Sequence, residues 1–95
     1  MLNDIRDAIE NNPRVLIEFG AVWCIPCRSF LPHFTKFAEK HPEYLCVKVD
    51  VDVDPAVVSE FNILSVPTLK LFSGGHLVGD IKGRTVVQLE KEILD

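Results

Sequence analysis

The sequence predicts an α/β fold, a mixed four-stranded sheet with helices on both faces. Three observations carry it. Residues 15–19 (Val-Leu-Ile-Glu-Phe) form a short, nearly continuous apolar run of the kind found in a central strand buried on both sides. Segments with helical spacing of apolar residues alternate with such runs along the chain. Two further strand-like runs flank Ser73-Gly74-Gly75-His76, the pattern of an antiparallel hairpin. The order is helix, strand, helix, strand, helix, strand, strand, helix.

Leu2, Ile5, Ala8 and Ile9 recur at helical spacing over residues 2–11, and Asn12-Pro13 supplies the stop. The strand at 15–19 follows and ends at Gly20. A long helix should begin at the Cys24-Ile25-Pro26-Cys27 segment, bury Phe30, Phe34, Phe37 and Ala38, and end at His41-Pro42. Pro26 is tolerated in its first turn, whereas Pro32 is interior and should kink it. Leu45, Val47, Val49 and Val51 alternate with Cys46, Lys48 and Asp50 as a second strand. Asp54-Pro55, an N-cap followed by proline at the first helical position, opens a short helix through Phe61. The hairpin strands are 68–72 and 77–81. Thr85 with Gln88 three residues on forms a capping box for a last helix, whose apolar stripe is Val86, Leu89 and Ile93.

With 95 residues, 47% apolar and 25% charged, the chain suits one domain, residues 1–95, that folds without staples. A net charge of −4 with no block of like charge argues against nucleic acid or an anionic membrane surface as partner. No window approaches the ~20 apolar residues of a membrane helix. Residues 1–7 mix both charges rather than opening with a secretory leader, so a cytoplasmic location is expected, with the chain acting as a monomer.

Two of the three cysteines sit in one Cys-x-x-Cys unit, where a bridge would close almost no loop and so add little stability. That spacing suggests chemistry. Cys24 falls at a helix start, where unpaired N–H groups and the helix dipole favour a thiolate, the nucleophile of disulfide exchange. Cys27, one turn in, is placed to resolve a mixed disulfide formed at Cys24, and Trp23 would shield the rim. A zinc site is the competing reading, but Cys46, His33, His41 and His76 offer no second ligand pair at zinc spacing, so no metal is expected. Cys46, mid-strand among apolar residues, reads as a small buried side chain without a catalytic role. His33 and His41 read as capping or solvent-facing.

Trp23-Cys24-Ile25-Pro26-Cys27-Arg28, with Pro32 five residues beyond the second cysteine, resembles the active-site segment of the thioredoxin family. Ser65-Val66-Pro67-Thr68 before an apolar strand resembles that family's cis-proline loop. The resemblance runs from Val15 to the final helix. It implies the thioredoxin fold, with its N-terminal edge strand missing, and a cis Val66–Pro67 bond that turns the Val66 backbone toward an extended substrate. It also implies a substrate rim of Trp23, Ile25, Pro26, Val66, Pro67, Gly83 and Gly20. Glu18 breaks the most apolar strand and is expected beneath the cysteines, where burial raises its proton affinity. The family has Asp at that position and Lys at Lys48, so Glu18 and Lys48 carry over as a proton-handling pair; a plain ion pair, or a Glu at the sheet edge, is the alternative.

Three departures stand out: Ile25 replaces a usual Gly, Gly20 replaces a usual Trp, and the chain opens with the helix. The implied activity is protein-disulfide reduction by dithiol–disulfide exchange, with no bound cofactor beyond the redox-active Cys24–Cys27 disulfide. The implied partners are disulfide-containing proteins and a thioredoxin-reductase-like electron donor. The alternatives are a disulfide oxidase or isomerase, which Ile25 keeps open, and a non-catalytic binding module of the same fold.

Overall fold

The computed structural model describes residues 1–94. Its elements are α1 (Leu2–Asn11), β1 (Arg14–Gly20), α2 (Ile25–Lys40), β2 (Leu45–Asp50), α3 (Pro55–Glu60), β3 (Thr68–Ser73), β4 (His76–Asp80) and α4 (Val86–Leu94). The strands form one sheet in the order β2-β1-β3-β4. β1 runs parallel to β2 and antiparallel to β3, which in turn pairs antiparallel with β4. A parallel neighbour needs a crossover, and α2 supplies it.

β1 is buried along its length after Arg14, and its alternation divides the core into two layers. Val15, Ile17 and Phe19 pack with Ile5 and Ile9 of α1 and Val57 of α3. Leu16 on the opposite face packs with Phe30, Phe34 and Phe37 of α2, Leu89 of α4, and Leu69 and Leu71 of β3. The same alternation directs Glu18 and Gly20 to the α2 face. Phe37 is fully buried, so truncation to alanine should cost about 3–5 kcal/mol.

Local chemistry sets the ends of the elements. The Asp54 carboxylate accepts from Ala56 N–H at 3.1 Å and from Leu2 N–H at 3.0 Å, so one cap starts α3 and ties down the start of α1. The hairpin loop is tighter than expected: Ser73 and His76 already pair, leaving Gly74 (φ 58°) and Gly75 (φ 85°) as the turn, a conformation that favours glycine at both positions. α2 runs on through Pro32, which is exposed. Val51 lies beyond the end of β2, although its N–H still donates to the Gly20 carbonyl at 3.0 Å. The capping box forms by half. Thr85 Oγ1 accepts from Gln88 N–H at 3.2 Å, while Gln88 Oε1 accepts from Arg84 N–H at 2.9 Å, one residue earlier than the motif predicts.

α4 is fastened to α2 by polar contacts at its start and its middle. His33 Nδ1 accepts from Val86 N–H at 3.4 Å, capping the start of α4, and Glu90 bonds His41 at 2.7 Å and Lys40 at 2.9 Å. The two histidines therefore have capping and bridging roles.

Candidate active site

β1 ends at Gly20, and the chain turns through Ala21, whose carbonyl accepts from Cys24 N–H at 3.2 Å, before entering α2. Cys24 is the N-cap of α2: its extended backbone leaves Sγ over the first turn, where it accepts from Cys27 N–H at 3.2 Å. Pro26 occupies a first-turn position, where its missing N–H is no loss. Cys24 and Cys27 form a disulfide with their Cα atoms 5.3 Å apart. The sulfurs thus sit at the positive end of a sixteen-residue helix, where a thiolate is favoured over the thiol.

The pair is recessed, with Cys24 4% and Cys27 6% exposed, but its surroundings are not. Ile25 is 66% exposed and Trp23 64%, its indole N–H donating to Asp52 at 2.8 Å. The Val66–Pro67 peptide is cis, as the resemblance implies. Val66 and Val51 pack against Ala21, Cys24 and Cys27. Pro67 lies beside Pro26 in a cleft of about 410 Å³ completed by Ser29, Phe30, His33 and Arg84. A smaller cleft of about 180 Å³ reaches Cys27 from the other side, between Ala21, Val22, Arg28, Leu31 and Lys48.

Glu18 lies beneath the disulfide. It is 2% exposed, and neither carboxylate oxygen has a hydrogen-bond partner. A Cβ built on Gly20 would touch Glu18 Oε2 while standing 3.2 Å from Glu18 Cδ and 3.3 Å from Cys27 Sγ, so the carboxyl group and the inner sulfur border the same small space. Burial raises the Glu18 pKa, an effect that the positive charges of Lys48 and Arg84 oppose. Lys48 is Glu18's register partner on β2 but is exposed, so its action is through-space and no ion pair forms.

The structure brings Trp23, Cys24, Ile25, Pro26, Cys27, Val66 and Pro67 to one surface with Glu18 beneath and Lys48 at its flank. Gly83 has a different setting. It is buried; its N–H donates to Glu92 at 2.8 Å and its carbonyl accepts from Arg84 at 2.8 Å. A Cβ there would meet the Gln88 backbone carbon at 2.9 Å, so glycine allows α4 to approach. Two residues at the site escaped the sequence reading. Asp52 holds the Trp23 ring, and the Arg84 guanidinium stacks on Phe30, 5.6 Å from its ring centroid, donating to Pro67 O at 3.4 Å. Neither stands in a motif; the only signal was the charge of Arg84 beside Gly83, a predicted rim residue.

The thioredoxin family model matches residues 3–95. The chain belongs to the thioredoxin family. It is 38% identical over 94 residues to mitochondrial thioredoxin-3 of Saccharomyces cerevisiae, covering 99% of this chain and 74% of that protein. The oxidized crystal structure of that thioredoxin superposes with a TM-score of 0.89, covering 99% of this chain and 89% of the other. Thioredoxin of Alicyclobacillus acidocaldarius is 40% identical over 94 residues, with 97% and 90% coverage. A bifunctional thioredoxin reductase/thioredoxin of Mycobacterium leprae is 40% identical over 78 residues, covering 81% of this chain and 17% of that protein. This member of the family is a thiol–disulfide oxidoreductase of the protein-disulfide reductase class, and its redox group is the Cys24–Cys27 pair.

Proposed function

We propose that Cys24 is the attacking thiolate and Cys27 the resolving one in reduction of protein disulfides. The observation that carries this is Cys24 Sγ at the N-cap of α2, accepting the Cys27 N–H at 3.2 Å. In the dithiol form the Cys24 thiolate attacks a substrate disulfide, forming a mixed disulfide and releasing one substrate thiolate. Cys27, deprotonated, then attacks Cys24 Sγ. The second substrate thiolate leaves, the Cys24–Cys27 disulfide closes, and two electrons have passed to the substrate.

In this reading Glu18 takes the Cys27 proton. A raised proton affinity in a desolvated site suits a carboxylate to exchange with a thiol, and the cleft beside Lys48 gives water a route toward Cys27. Trp23, Ile25, Pro26, Val66 and Pro67 dock an extended substrate segment, with Gly83 supporting the loop behind them. The cycle uses no bound cofactor; a thioredoxin-reductase-like donor, of the kind fused in the Mycobacterium leprae relative, returns the electrons. We place this cycle in the cytoplasm, with the chain working as a monomer and serving electron transport to protein disulfides.

Insulin reduction by dithiothreitol tests it. The protein should accelerate precipitation, Cys24→Ser should abolish the gain, and Cys27→Ser should accumulate the mixed disulfide. Trapping by Cys24→Ser in place of Cys27→Ser would reverse the two roles.

A further inference from the structure

The cleft of about 410 Å³ shares Pro26 and Pro67 with the disulfide's surroundings, yet its far wall is charged. Arg84 forms that wall, and its guanidinium is held in place. Nη1 donates to the carbonyls of Ile81 and Gly83, both at 2.8 Å, Nη2 donates to Pro67 O at 3.4 Å, and Cζ lies over the Phe30 ring. An arginine has five N–H donors. These bonds leave the Nε–H and one Nη2–H without a partner among the described residues. The nearby Glu92 carboxylate is taken by the N–H groups of Lys82 and Gly83. His33, which also lines the cleft, accepts from Val86 N–H through Nδ1. The cleft thus presents a pre-oriented positive group, with no carboxylate among its lining residues, beside the point where a substrate disulfide must approach.

We propose that Arg84 selects substrates carrying an aspartate or glutamate next to the cysteine under attack, the acidic side chain entering this cleft and accepting from the unused guanidinium donors. The proposal rests on the reductase reading above and specifies the substrate class for that same site. A guanidinium immobilised by backbone carbonyls loses little freedom on binding, and a charge-assisted pair at the rim raises capture more than it changes the chemical step.

The test uses disulfide-linked peptides differing only in the residue beside the cysteine, Glu, Gln or Lys, reduced in single turnover by the dithiol form of the protein. Expected second-order rates follow Glu over Gln over Lys, with Glu about five- to tenfold above Gln at low salt and the gap closing at high salt. Arg84→Gln should remove that preference, bringing the ratio of the Glu peptide's rate to the Gln peptide's rate to about one. Arg84→Lys, which keeps the charge but loses the fork, should retain part of it. Equal wild-type rates for Glu and Gln peptides overturn the acidic preference whatever the variants do, since that comparison needs no mutation. Equal slowing of both peptides by Arg84→Gln would instead make Arg84 a support of the Pro67 loop, and failure of wild type to reduce any peptide would overturn the reductase reading beneath it.

Discussion

Gly20 leaves free the space into which Glu18 reaches: a Cβ on residue 20 would touch Glu18 Oε2 and stand 3.3 Å from Cys27 Sγ. The two positions lie one alternation apart on β1, so both face α2 and the disulfide. The departures from the family pattern are thus joined: a longer acid at 18 reaches into room that a residue without a side chain leaves open at 20. Gly20→Ala should destabilise the protein by about 1–3 kcal/mol through overpacking and should shift the pH dependence of disulfide reduction, because the carboxyl group must move from Cys27. Glu18→Asp draws that group back by one methylene. The double variant should therefore be more stable than Gly20→Ala alone, giving a favourable coupling energy in a denaturant cycle, whereas additive losses would show that the two side chains do not compete.

Glu18 also makes stability depend on pH. Its folded-state pKa is raised, so between the unfolded value and the folded one the native state holds a proton that the unfolded chain has lost. Stability contributed by the neutral acid is present at low pH and declines as pH rises through that window. Glu18→Gln holds the group neutral throughout. Chemical denaturation at pH 5 and pH 8 should show the variant gaining on wild type as pH rises, whatever the constant offset between them; a gain that shrinks with pH would mean that the through-space attraction of Lys48 and Arg84 outweighs burial.

Much of this site could be read from residue order. Covering both faces of residues 15–19 requires helices on either side, and a carboxylate within that run has to be buried, so the position of Glu18 was implicit in its neighbours. Asp54-Pro55 marked α3 because cap chemistry is local. What escaped depends on distant chain segments. His33 caps a helix that begins 53 residues later, and Arg84 folds back over Phe30 and Pro67. Long polar side chains choose partners after the backbone has closed, and no spacing rule encodes that choice. The half-formed capping box is a milder case, in which the Gln88 amide found the N–H of Arg84 within reach.

Cys46 is outside the redox pair, and burial lifts its pKa to about 11. Its thiolate fraction at pH 8 is then roughly a hundredfold below that of the unfolded chain. With Cys24 and Cys27 closed as a disulfide, Cys46 is the one free thiol among the described residues. Iodoacetamide applied to the oxidised native protein at pH 8 should add nothing detectable by mass spectrometry over a period in which the guanidinium-unfolded protein takes up one label. Comparable labelling in both states would show that Cys46 is open to solvent and chemically ordinary.

The Trp23–Asp52 hydrogen bond bears on docking more than on the thiols. Trp23 is the largest exposed apolar side chain beside the disulfide, and a free indole on the surface would lose rotamer freedom when a partner covered it. Its N–H bond to Asp52 at 2.8 Å fixes the ring in advance, lowering that cost for every protein substrate. Asp52→Ala removes the acceptor without touching either cysteine. In the docking role proposed for Trp23, kcat/KM for a protein disulfide should fall about two- to fivefold, carried mainly by KM, consistent with a loss on the order of 1 kcal/mol for one exposed hydrogen bond. Reduction of a small disulfide such as hydroxyethyl disulfide, which never covers the indole, should be unchanged. A parallel loss on both substrates would mean that Asp52 acts on the sulfur chemistry through its charge, and Asp52→Asn, which keeps an acceptor but not the charge, would then behave like the alanine variant instead of like wild type.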